Sequence, residues 1–145
     1  MALTYSQMMR PQTQAPDFCL PGVDGRDWAL AEVAVAAALV VVFNCTHCPY
    51  AIAYEERLIA LQREVRERGG CFVAICANDA TTHPGDGFEA MKVHAAERGF
   101  PFPYLRDETQ EVARAYDAAC TPDIFVFDGL RRAMPQAEFL NGSCI

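Results

Sequence analysis

No stretch of this chain is long and apolar enough to cross a bilayer. The longest apolar run, Ala34 to Phe43, falls far short of the roughly 20 residues a spanning helix needs, and its alanines and valines suit a buried strand and its approach. A basic stripe is also lacking. Lys and Arg total 12 against 19 Asp and Glu, the formal net charge is −7, and acids and bases are interspersed. Nucleic acid is therefore excluded as the expected partner. Met1 to Pro16 is polar and contains no apolar h-region, so it does not read as a secretory signal, and the cytoplasm is the expected location. Repeats and low-complexity tracts are missing too. Histidine is scarce, at 3 residues. His83 and His94 have no cysteine or carboxylate at metal-ligand spacing and are read as surface residues without a role.

What the chain does have is a substantial apolar fraction. At 145 residues and 52% apolar content it suits one domain around one sizeable core. Leu39 to Phe43 is a continuous apolar run, the pattern of a strand buried on both faces of a parallel sheet. From Tyr50 to Arg68 the apolar positions Tyr54, Leu58, Leu61 and Val65 recur at helical spacing, and Gly69-Gly70 supplies the stop. Glu55-Glu56 falls on the expected surface of that helix. Cys71 to Cys76 is a second apolar run, completing a strand, helix, strand unit with a right-handed crossover. Phe88 to Arg98 is expected to be a helix, with Asp86 as its N-cap and Gly99 at its C-terminus. Asp107 and Gln110 suggest a capping box for a helix through Tyr116. Asp123 to Phe127 is expected to be a strand, ending in a tight turn at Asp128-Gly129.

Seven cysteines, an odd count without an export signal, argue against a disulfide framework and for reduced thiols with one functional pair. That pair is Cys45-Thr46-His47-Cys48. It follows a strand and precedes a helix, so both sulfurs lie at a helix N-terminus, where unpaired N–H groups and the dipole favour a thiolate. Protonated His47 adds positive charge, and the two-residue spacer lets Cys48 attack a mixed disulfide on Cys45. A Cys-x-x-Cys also serves zinc sites, but no second pair stands at suitable spacing, and Cys71 and Cys76 point to opposite faces of their strand. No metal and no cofactor is expected. Cys19, Cys71, Cys76 and Cys144 carry no motif, and burial is their default.

Thr121-Pro122 stands before the strand at Asp123. A strand, a Cys-x-x-Cys at a helix start and a downstream Thr-Pro together resemble the thioredoxin-like superfamily. There the proline is cis and faces the cysteines, which implies that Pro122 holds substrate backbone near them. Ala15-Pro16-Asp17-Phe18 with Leu20, NCTHCPY from Asn44, PFPYLRD from Pro101 with Thr109-Gln110, and Thr121-Pro122-Asp123 resemble one branch more closely. These are the redoxins of the alkyl hydroperoxide reductase and thiol-specific antioxidant (AhpC/TSA) superfamily. The resemblance implies an α/β thioredoxin-like fold, a central mixed sheet flanked by helices, and disulfide or peroxide reduction through active-site thiols. Cys120, beside Thr121, is then a candidate third thiol.

Two departures from the family pattern shape the expectation. Peroxiredoxins carry a proline seven residues and a threonine or serine three residues before the peroxidatic cysteine. Those positions are Val41 and Cys45 before Cys48, and Ala38 and Val42 before Cys45. A disulfide substrate is thereby favoured over peroxide. The second departure is Leu130 to Ile145, which has no periodicity for the family's final strand and helix. The expected division is an arm over 1–14, the redoxin domain over 15–130 and an atypical tail over 131–145, with an exposed sheet face that favours homo-oligomers. The expected function is thiol–disulfide exchange by Cys45 and Cys48, with Thr46, His47, Thr121 and Pro122 shaping the site. Its expected partners are a protein or small-molecule disulfide and an external thiol reductant, with no membrane. Two alternatives stand beside it: a thiol peroxidase, and a non-catalytic redox-sensing or binding module.

Overall fold

In the computed structural model, residues 12–33, 37–46, 49–82, 84–118 and 121–134 are described. Alternation along two valine- and alanine-rich strands builds the centre. Strands β3 (Ala38–Phe43) and β4 (Cys71–Cys76) pair in parallel, with Leu39 opposite Cys71 and Phe43 opposite Ile75. Side chains of a strand point to opposite faces in turn. Val40, Val42, Phe72, Ala74 and Cys76 accordingly enter one core, while Leu39, Val41, Phe43, Val73 and Ile75 enter the other. Strand β5 (Tyr104–Arg106) adds in parallel to β4, and β6 (Asp123–Asp128) runs antiparallel along β3, giving the sheet order β5-β4-β3-β6. The sheet is thus mixed, and helices cover both faces.

Helices α2 (Pro49–Glu67) and α3 (Phe88–Arg98) cover the first face, through Ala51, Leu58, Val65, Met91 and Ala95. Proline suits the first position of α2, since the missing N–H is one the helix would not use. Gly69 then adopts φ 81° and Gly70 donates its N–H to Val65 O at 2.8 Å, so the glycine pair stops the helix as expected. A side chain at position 70 has no room, because a Cβ there would lie 2.7 Å from Val65 Cγ1. The short α1 (Leu30–Val33) and α4 (Glu111–Tyr116) cover the second face. There Tyr116 packs against Phe43 and Phe127, with ring centroids 5.4 and 5.9 Å apart. A small hairpin of β1 (Cys19–Pro21) and β2 (Asp27–Ala29) precedes α1.

Several local expectations are corrected. The buried stripe of α2 is Ala51, Glu55, Leu58, Gln62 and Val65, whereas Tyr54 is exposed. Glu55 therefore faces inward, and its carboxylate contacts His94 Nε2 and lies 2.6 Å from Arg98 Nε, both on α3. His94 thus has a carboxylate partner that sequence spacing hides, since 39 residues separate the two. Asp86 does not cap α3. Gly87 occupies the cap without a side-chain bond, and Gly99 ends the helix at φ 62° as expected. At α4 the reciprocal box is absent. Asp107 Oδ2 accepts the Ala113 N–H at 2.8 Å, but the Gln110 amide reaches Ala77 O instead, tying α4 to the end of β4. Cys19 is exposed rather than buried.

Beyond β6 the chain turns at Asp128-Gly129. Asp128 Oδ1 accepts N–H bonds from Leu130 and Arg132, both at 2.9 Å. Ala133 then bridges Phe127 and Arg132 bridges Gln14, two isolated bridges after β6. The predicted atypical tail from residue 135 onward, including Cys144, and the predicted arm up to residue 11 lie outside the described residues. So does His83. Within the described residues no helix is long and apolar enough to cross a membrane.

Candidate active site

The C-terminal ends of parallel strands gather on one edge of the sheet, where open α/β folds place their ligand sites. Here β3 leads into Asn44 and Cys45, and the Asn44 N–H still bonds Ile75 O at 2.8 Å. The antiparallel register of β6 on β3 sets Asp123 opposite Phe43. Continuing that register brings Thr121 opposite Cys45, and Cys45 Sγ lies 3.5 Å from Thr121 Oγ1. The Thr121-Pro122 peptide is cis, as the resemblance implies. Thr46 and Cys45 are both buried, Cys45 completely. Of the predicted site residues, Cys45, Thr46, Thr121 and Pro122 are therefore found at one place. His47, Cys48 and Cys120 lie outside the described residues.

The most connected group at this edge is one the sequence reading assigned elsewhere. Asp86, in the 3-10 turn Pro84–Asp86 before α3, is fully buried. Its Oδ1 accepts the Thr46 N–H at 2.6 Å and the Thr46 hydroxyl at 2.8 Å, and its Oδ2 accepts the Asn78 amide at 3.1 Å. The signal available in the sequence was only an aspartate ahead of a helix, and capping accounts for that equally well.

Beneath this pair lies a second set of buried groups. Arg106, 3% exposed, donates to Glu108 at 2.9 Å through Nε and approaches Cys76 Sγ at 3.6 Å through Nη1. Burial raises the Cys76 thiol above its ordinary value, and the Asp86 carboxylate adds to the rise, which keeps this thiol protonated and inert at neutral pH. Tyr104 is pushed well above the ordinary phenol range, first by burial and then by the charges of Cys76, Cys45 and Asp86. Asn44 is buried as well, and among the described residues its amide has no hydrogen-bond partner. The described residues contain no group of three His, Cys, Asp or Glu side chains arranged to hold a metal ion.

Comparison with known proteins places this arrangement in context. The chain aligns with 46% identity to an uncharacterised conserved protein from Geobacillus kaustophilus, over 92% of this chain and 71% of that one, with a TM-score of 0.89. A hypothetical protein from Sinorhizobium meliloti 1021 shares 38% identity over 88% of this chain and 70% of its own, with a TM-score of 0.84. A thioredoxin-family thiol:disulfide interchange protein from Chlorobium tepidum shares the fold, with a TM-score of 0.72 at 23% identity, over 94% of this chain and 97% of its own. No curated protein matches. Residues 11–132 match the AhpC/TSA family, and together with the mixed sheet, the Cys45 position and the Thr121-Pro122 approach this shows that the chain belongs to the AhpC/TSA family.

Proposed function

We propose that the chain is a thiol–disulfide oxidoreductase acting through Cys45 and Cys48. Family membership supports a redox function in general terms. The observation that carries the finer reading is the approach of Cys45 Sγ to Thr121 Oγ1, which sets the sulfur beside an extended segment suited to align a substrate strand. In the first step the Cys45 thiolate attacks a substrate disulfide, forming a mixed disulfide and expelling one substrate thiolate. The Cys48 thiolate then attacks the Cys45 sulfur, expelling the second substrate thiolate and leaving a Cys45–Cys48 disulfide. An external dithiol restores the pair. Cys45 is fully buried, so attack requires the site to open to the substrate. The reading takes a protein or small-molecule disulfide as substrate and a reducing, cytoplasmic setting.

Peroxide is the less favoured oxidant for a reason visible in β3. The positions where the resemblance would place the pocket-shaping proline and threonine are Ala38, Val41, Val42 and Cys45, all buried, three of them apolar strand residues. They offer no hydroxyl to hold a peroxide.

The test is a titration of the Cys45/Cys48 pair against glutathione buffers with insulin reduction followed in parallel. A two-electron transition and turnover abolished by Cys45→Ser are expected. A pair that neither cycles nor turns over, or turnover with hydrogen peroxide far above that with disulfides, would overturn the reading.

A further inference from the structure

We propose that Asn44 is a substrate-binding residue of the thiol site, whose side-chain amide holds a peptide group of the disulfide that Cys45 attacks, so that the substrate class is peptidyl disulfides. This inference rests on the exchange function proposed above and narrows its substrate. Asn44 is 1% exposed, and neither its Nδ2 nor its Oδ1 has a hydrogen-bond partner among the described residues. Two other buried side-chain oxygens lack a hydrogen bond, yet each faces a polar group. Glu55 Oε2 lies 2.6 Å from Arg98 Nε, and the Tyr104 hydroxyl faces the Cys76 thiol. A buried amide unpaired on both its donor and its acceptor side costs stability that a leucine of nearly the same shape would not.

The backbone of Asn44 is anchored. Its N–H bonds Ile75 O at 2.8 Å, which fixes the residue at the end of β3 beside β4. On the other side, the register that sets Asp123 opposite Phe43 continues to Pro122 opposite Asn44, and a proline has no N–H to offer the amide. Position then says what the amide can meet. In a mixed disulfide the substrate half-cystine has its Cα about 4.4–6.8 Å from that of Cys45, and the Asn44 Cα is about 3.8 Å from the same atom. The peptide groups flanking the substrate half-cystine therefore come within reach of the Asn44 side chain. A carboxamide presents one donor group and one acceptor together, which complements the C=O and N–H of a peptide. Asn44 and Cys45 are consecutive and both buried, so the opening that admits a disulfide to the sulfur also brings its flanking groups to the amide.

The experiment measures the second-order rate at which two disulfides oxidise the reduced full chain, read by mass spectrometry as loss of free Cys45 and Cys48 after an acid quench. One is the disulfide of N-acetylcysteine methylamide, which carries a peptide group on each side of each half-cystine. The other is diethyl disulfide, which has no polar group. Comparing a variant with the unaltered chain cancels the intrinsic reactivity of each reagent. In Asn44→Leu the rate with the peptidyl disulfide is expected to fall about 5- to 150-fold, the loss of two hydrogen bonds, while the rate with diethyl disulfide is unchanged. If Asn44→Leu shows no cooperative melt, Asn44→Ala, which removes the amide without adding bulk, is read in the same way. Equal losses with both disulfides, or failure of both variants to fold, would assign Asn44 to the shape of the fold alone and overturn the proposal. Unchanged rates with both disulfides overturn it as well. An unaltered chain that neither disulfide oxidises overturns the exchange function itself, and this inference with it.

Discussion

The carboxylate of Glu55 gives the sharpest test of how this fold tolerates buried charge. It is 0% exposed, while its partners His94 and Arg98 are 19% and 40% exposed. The asymmetry decides which partner is expensive to lose. Truncating both His94 and Arg98 strands an anion in the interior, and breaking a buried pair this way costs about 3–5 kcal/mol. Replacing Glu55 by Met leaves a histidine and an arginine that can turn toward water, and fills the site with a side chain of similar length. Such replacements are often neutral or stabilising. We expect Glu55→Met to lie within about 1 kcal/mol of the unaltered protein. The double variant His94→Ala/Arg98→Ala should lose about 6–20 °C in Tm, taking 2–4 °C per kcal/mol for a domain of this size. Urea denaturation followed by circular dichroism, with the thermal melt as a second probe, measures both. Equal losses in the two variants would refute the reasoning, because they would mean that the pair itself, rather than the cost of stranding the carboxylate, dominates.

Two further predictions concern pH. Burial raises the Tyr116 hydroxyl, which donates to Pro16 O at 2.8 Å, and the Cys76 and Tyr104 groups are raised as well. Their neutral forms are favoured by folding, so the stabilisation is complete below the ordinary values of 9.0 and 10.0 and is lost as pH rises beyond them. Tyr116→Phe should cost about 1 kcal/mol at pH 7 and flatten the alkaline loss in a series of denaturant midpoints, and an unchanged alkaline slope would count against it. Asp128 behaves oppositely. Partial burial raises it, but hydrogen bonds from Arg132 and Leu130 N–H and the Arg132 side chain outweigh that and lower it below 3.8. Its contribution is therefore present above 3.8 and lost as pH falls further. Asp128→Asn should remove that acid-side loss, and a midpoint-versus-pH curve superimposable on that of the unaltered chain would refute the assignment.

The elements legible in the sequence are those long enough to show a period. The strands Leu39–Phe43 and Cys71–Cys76, the helix ended by Gly69-Gly70 and the helix ended by Gly99 all stand where their patterns put them. The segments β1, β2 and β5 have three residues each and α1 has four, too few for a period to emerge. Glu55 was misread because a Glu-Glu pair looks solvated, and only the arrival of α3 gives one of the two glutamates partners. Asp86 was misread for the same kind of reason. Its local sequence fits a cap, but a residue 40 positions earlier, Thr46, offers two donors. Cys45 with Thr121-Pro122 could be read because the signal is a combination of residue types rather than a contact.

That combination also has a history in time. The groups that meet at Cys45 come from distant parts of the chain, Thr121 lying 76 residues after it. At a synthesis rate of about 5–20 residues per second, some 4–15 s separate the emergence of the sulfur from that of the segment that covers it. During that interval the nascent chain carries a bare thiol on an unfinished sheet, open to any passing disulfide. Because β6 must dock before Cys45 acquires its setting, the same topology that assembles the site also delays it, and the chain depends on its surroundings to keep that sulfur reduced until then.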